Sequence, residues 1–167
     1  MRFGIREVCD ITFSRVSGTG PSSFEIKSAK MTTLETASTV VYAQGGKGNS
    51  RLMAWEGDKT LTFTVEDALI SKESFQALTG ATKTTGTTTT VFTIKSSSFA
   101  GIYRITASTL FRNEDGVDYP ATISIPKAKL QTTLNLSMAP TGDPSTFTFT
   151  FDALADDTDT LFQLSIV

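Results

Sequence analysis

The chain has 167 residues, 39% of them hydrophobic, which is enough for one domain with a packed core, and its formal charge is -2. That charge argues against a protein that wraps nucleic acid through its phosphates. The complete lack of histidine removes the side chain that most often serves as general acid, general base or metal ligand near neutral pH. With Cys9 the only cysteine, an internal disulfide and a cysteine-based metal cluster are both excluded.

About one residue in six is threonine and 12 are phenylalanine, and β-branched and aromatic side chains fit a pleated surface better than a helix. Period-two alternation then predicts strands from end to end. The first holds Cys9, Ile11 and Phe13 on one face, and a second runs through Phe24, Ile26 and Met31. Ala37 to Ala43 is a third, in which Val40, Val41 and Tyr42 are consecutive rather than alternating, so it is either covered on both faces or bulged. Across a glycine-rich connection comes Arg51 to Glu56. A turn at Gly57 and Asp58 then leads into Leu61, Phe63 and Val65 opposite Thr62, Thr64 and Glu66.

One helix interrupts the strands. Ser71 is its N-cap, Glu73 lies in the first turn where the helix dipole favours a negative charge, and Gly80 supplies the left-handed position that ends it. Phe75 and Leu78 share one face and are expected to plug an open end of the sheet. Ala81 to Thr90 is a low-complexity Thr/Gly tract, readable as an exposed loop or a polar strand. Val91, Phe92 and Ile94 restart strand character. Ile102 to Leu110 and Tyr119 to Ile125 form a hairpin through Asn113, Glu114, Asp115 and Gly116, with Pro120 and Pro126 restricting the second strand to an edge or short pairing. Leu130, Leu134, Leu136 and Met138 continue the alternation. A turn at Pro140, Gly142 and Pro144 leads to Phe147, Phe149 and Phe151, and Leu161 to Val167 closes the chain. The fold class expected is mainly β: an antiparallel sandwich or small barrel of roughly ten strands with one short flanking α-helix, residues 1–167 forming a single domain.

Residues that invite a chemical reading each have a plainer one. Gly45, Gly46, Lys47, Gly48, Asn49 and Ser50 resemble a phosphate loop in composition, but Lys47 precedes Gly48 and a strand follows, so the Gly-Lys-Ser order and the helix are missing. Asp156, Asp157 and Asp159 lack the glycine and terminal glutamate of a calcium loop and read as a solvated acidic turn. Glu66 and Asp67 are adjacent on a strand and point to opposite faces. Asn135-Leu136-Ser137 matches a glycosylation pattern, which is silent in a chain whose first residues carry no signal-peptide core. Cys9, without a histidine partner, is expected to be a buried structural thiol. No catalytic, cofactor-binding or metal-binding residue is assigned. The long Thr/Ser faces fit the solvated outside of a sandwich, or an assembly in which they line a channel or meet neighbours.

Two stretches carry a family likeness. Val41-Tyr42-Ala43-Gln44-Gly45-Gly46-Lys47-Gly48-Asn49-Ser50-Arg51-Leu52, with Glu56-Gly57-Asp58-Lys59, runs into Leu61-Thr62-Phe63-Thr64-Val65-Glu66-Asp67-Ala68-Leu69-Ile70-Ser71. This resembles the tail tube proteins of contractile-tailed bacteriophages over roughly a third of the chain. The resemblance implies a virion structural protein without enzymatic activity or cofactors. Such a protein is made in the host cytoplasm and built into stacked hexameric rings whose inner strands close into a barrel around the DNA path. Its implied partners are further copies of itself, the tail sheath, the tape measure protein and baseplate or terminator proteins, with DNA passing through a hydroxyl-rich lumen without specific binding and no membrane anchor. The loop Ala43, Gln44, Gly45, Gly46, Lys47, Gly48, Asn49 and Ser50 is then expected to be the subunit contact between stacked rings. The alternative is a capsid decoration or fibre protein with an immunoglobulin-like sandwich.

Overall fold

The computed structural model describes residues 3–27, 29–46, 48–67, 70–131 and 147–167. Among them run ten strands and one helix: β1 (Phe3–Ser17), β2 (Ser23–Ile26), β3 (Ala29–Gly45), β4 (Ser50–Asp67), α1 (Lys72–Thr79), β5 (Thr82–Thr85), β6 (Thr90–Thr93), β7 (Ile102–Asn113), β8 (Asp118–Leu130), β9 (Phe147–Leu154) and β10 (Gln163–Ile166). Eight strands make one sheet in the order β2-β1-β7-β8-β9-β4-β3, with β10 added alongside β8, and β5-β6 form a separate two-stranded hairpin. Every pairing is antiparallel.

The sheet turns over on itself at β8. Ala121 to Ser124 of this strand pair with β10, whereas Lys127 to Leu130 pair with β9. Between them lies Pro126, where β8 carries one residue more than β7 across the register shift from Tyr103 to Ile105. A bulge bends a strand and frees it from donating to the ladder, which is where a proline is tolerated inside a sheet. Of the expected edge or short pairing, the edge is therefore corrected and the short pairing holds on one side: β8 is internal, its ladders to β10 and β9 are short, and Pro126 marks its corner.

The corner brings two leaves face to face. Ile11, Phe13, Phe24, Ile26, Tyr103, Ile105, Ile123 and Ile125 are buried on one, and Leu61, Phe63, Val65, Phe149 and Phe151 on the other. Phe13 ties the leaves together. Its ring stacks on its cross-strand partner Phe24 with centroids 4.5 Å apart, and meets Phe151 of the opposite leaf at 5.2 Å. At the far ends of the strand order β3 comes back against β1, but no ladder joins them, so the architecture is a curled sandwich and not a closed barrel. The predicted alternation of Leu134, Leu136 and Met138, the Pro140-Gly142-Pro144 turn and Asn135 lie outside the described residues, as do the surroundings of the Cys9 side chain.

The helix is capped as its sequence dictates. The Ser71 hydroxyl accepts the Ser74 backbone N–H at 3.0 Å, and Gly80 takes a left-handed φ of 65°. Leu78 is buried in the core, while Phe75 packs edge-on against Phe92 at 5.2 Å and so seats the β5-β6 hairpin. The Thr/Gly tract is thus a polar hairpin, closed by a hydrogen bond from Gly86 N–H to the Thr89 carbonyl.

Two substitutions test this packing. A Cβ on Gly80 would lie 2.5 Å from the carbonyl carbon and oxygen of Phe99, and the left-handed backbone alone costs a non-glycine residue roughly 1–2 kcal/mol. Gly80→Ala is expected to lower unfolding free energy by about 2 kcal/mol or more in chemical denaturation. The Tyr103 hydroxyl, by contrast, is buried with no hydrogen-bond partner among the described residues, and burial pushes its pKa up. Tyr103→Phe should therefore be neutral, or stabilising by up to about 1 kcal/mol, in the same assay.

Candidate functional site

The two longest strands run past the body of the protein. β9 supports β4 only as far as Thr62, so from there to the turn β3 and β4 are paired with each other alone among the described residues. Ser50 to Thr60 is exposed without interruption. At about 3.3 Å per residue this ribbon projects roughly 30 Å as an arm.

Gly57 and Asp58 were expected to make a turn between two strands. They sit inside the continuous β4, where Ser38 pairs Lys59 and Val40 pairs Glu56, so β4 holds one extra residue at this point. Turn-forming residues at a bulge leave the strand unbroken but shift its alternation by one. The inward side carries Leu61, Phe63 and Val65 below the bulge and Ala54 and Glu56 above it, alongside Val40 and Tyr42 of β3. Trp55 and Met53 are thereby placed on the outward side with their direct partners Val41 and Ala43.

Both sides of the arm are apolar and open. Val41, Met53 and Trp55 are 61%, 59% and 52% exposed, and Val40, Tyr42 and Leu52 are also in solvent. Arg51 rests over the Tyr42 ring, 4.2 Å from its centroid. The expected contact loop caps this ribbon and is smaller than the span 43–50: Ala43, Gln44 and Gly45 belong to β3 and Ser50 begins β4, while Lys47 lies outside the described residues. Gly46, Gly48 and Asn49 all have positive φ, and Asn49 bonds back through its N–H to the Gly46 carbonyl and through its amide to Gln44. Sequence reasoning selected the tip and missed the apolar ribbon, although the unbroken Val40-Val41-Tyr42 run was its signal.

A cleft of about 410 Å³ opens at the root of the arm, between Thr36, Lys59 and Leu61 on one side and Asp159, Leu161 and Phe162 on the other. Its second wall is stiff. One Asp156 carboxylate oxygen accepts the Thr160 N–H at 2.9 Å, the Thr158 hydroxyl at 2.7 Å and the Thr158 N–H at 2.9 Å, and Asp157 pairs with Lys127 at 2.8 Å. The acidic cluster is thus a self-bonded turn.

The outer faces of the two leaves are hydroxyl-rich. Glu25, Thr12, Thr106, Ser124 and Gln163 form one cross-strand row, and Thr33, Thr64 and Thr150 another. Among the described residues no group of three or more Cys, Asp or Glu is placed to hold a metal.

The sequence pattern of the YomU/Tube protein family matches residues 3–92 and 79–164. None of the curated proteins matches the chain. Among solved structures, a chain of the tube-terminating cap of the anti-feeding prophage is 13% identical, with a TM-score of 0.55, covering 100% of this chain and 94% of that one. A chain of the six-fold symmetrised anti-feeding prophage baseplate is 12% identical, with a TM-score of 0.50, covering 98% and 92%. These structural superpositions establish a shared fold. A chain of the sheath-tube complex of an extracellular contractile injection system is 14% identical over 94% of this chain and 88% of that one, with a TM-score of 0.49.

The Asp156 turn gives a pH test. Hydrogen bonds from the Thr160 N–H, then from the Thr158 hydroxyl and N–H, hold its carboxyl below the ordinary 3.8. A depressed folded pKa means that the turn's stabilisation is complete above the unfolded value and disappears as pH falls through the lower folded one. Amide resonances of Thr158 and Thr160 should stay put down to about pH 4 and shift together below it, and Asp156→Ala should show the low-pH positions at neutral pH.

Proposed function

We propose that this chain, which belongs to the YomU/Tube protein family, is a non-enzymatic structural protein, the tail tube subunit, assembled into stacked hexameric rings around a DNA-conducting lumen. The observation that carries this reading is the arm. A free two-stranded ribbon is at best marginally stable in water, and this one exposes large apolar side chains on both sides. Within the chain nothing described covers either side, so other copies are the natural cover.

Two apolar sides also favour a particular symmetry. A two-fold pair would bury the same side of the arm in both copies and leave the other in water. Copies that pack outward side on inward side bury both, and such head-to-tail contacts repeat until they close a ring. Similarity to a chain from a six-fold assembly supports six as the number that closes it. Residues 1–167 act as one tube domain in this reading, and the tip formed by Ala43 to Ser50 reaches the neighbouring ring. A hydroxyl-rich face on a chain of net charge -2 lets a phosphate backbone pass with little of the counterion release that drives adhesion. Sheath, tape measure and baseplate or terminator proteins complete the set of partners in a virion tail.

The test separates assembly from folding. Val41→Lys with Met53→Lys on the outward side and Tyr42→Glu on the inward side fall on exposed positions, deletion of Gly45 to Asn49 shortens the tip, and each should leave thermal melting of the dispersed subunit within the scatter expected for surface changes. Negative-stain microscopy should show tubes or rings for the wild type. The two side variants should remain dispersed, and the tip deletion should stop at single rings. Intact tubes from all three would refute the arm as the assembly element.

A further inference from the structure

The cleft at the root of the arm borders the core at Leu61 and opens on the same inward side as Val40 and Tyr42. We propose that it receives the indole of Trp55 from the next copy in the ring. The inference rests on the tube reading and names the contact that orients one subunit on another.

Three observations converge on this pairing. The first is position: if the outward side of one arm lies on the inward side of the next, Trp55 of the first faces the inward surface of the second, and the cleft is a concavity on that surface. The second is chemistry. Tryptophan combines a large apolar ring with a single N–H that needs an acceptor once buried. The cleft supplies an apolar floor in Leu61, Leu161 and Phe162, and acceptors at its rim in the Thr36 hydroxyl and the Asp159 carboxylate. The third is rigidity. The hydrogen-bonded Asp156 turn holds the Asp159 wall open before any partner arrives, so little ordering is needed on that side, and preformed pockets filled by aromatic anchors dominate interface energetics. Trp55 itself is 52% exposed midway along an unsupported ribbon, a position that contributes little to the stability of its own chain.

Two readouts test the contact in the full chain. Trp55 is the only tryptophan, so its emission reports this site alone. On assembly the wild-type emission should move to shorter wavelength and lose its quenching by iodide. In a Cys9→Ser background, one chain carrying Trp55→Cys and another carrying Thr36→Cys, mixed at assembling concentration and oxidised, should form a disulfide-linked pair containing one of each. Both positions are exposed in the free subunit, so neither change threatens its fold. Trp55→Ala should weaken association by about 30-fold, and Trp55→Phe by less. Tubes that form with Trp55 still quenched by iodide and with no mixed disulfide would leave the cleft to another occupant and overturn the proposal. Failure of the wild-type chain to associate at any concentration would instead remove the tube reading beneath it.

Discussion

A ribbon of two strands satisfies its backbone but cannot cover its own faces. That limit organises this molecule. Where β3 and β4 are backed by β9 and by the opposite leaf, their side chains alternate cleanly between core and solvent, as Leu61, Phe63 and Val65 do. Past Thr62 the backing ends, yet the apolar residues continue on both sides. The chain therefore divides into a body with a packed core and an arm whose apolar side chains stand in solvent on both sides.

The body is built to hold the arm's root steady. Phe13 joins the leaves through Phe24 and Phe151, the Pro126 corner lets one sheet serve as both leaves, and the Asp156 turn braces the end of the chain beside the arm. A flexible root would disperse the arm over many directions and add an ordering cost to every contact it makes. The bulge at Gly57 and Asp58 does the complementary job on the arm itself. One inserted residue moves Trp55 and Met53 across to join Val41, giving the outward side a compact apolar group that strict alternation would have split.

Much of this was legible in the sequence, because it depends on local chemistry. The caps at Ser71 and Gly80, the hairpin through Asn113 to Gly116 and the alternation of Phe147, Phe149 and Phe151 follow from side-chain type and spacing alone, and the structure places them as expected. What misled were residues whose local signal has two structural outcomes. Gly57-Asp58 suits a turn or a bulge, and only the partner strand decides which. Pro126 suits an edge or a bulge, and only the attachment of β9 and β10 to the same strand makes it a corner. The candidate site divides the same way: the glycines announce its tip, whereas the exposure of Val40, Val41 and Tyr42 depends on where β9 stops, which no local pattern records.

The arm is exposed in the free subunit, and in the proposed assembly it is covered on both sides. Hydrogen–deuterium exchange compares the two states directly, peptide by peptide. Amides of Val40 to Gly45 and Ser50 to Lys59 should exchange quickly in the dispersed protein and become strongly protected in the assembled one, while those of the β5-β6 hairpin change little. Arm amides that exchange equally fast in both states would contradict that coverage.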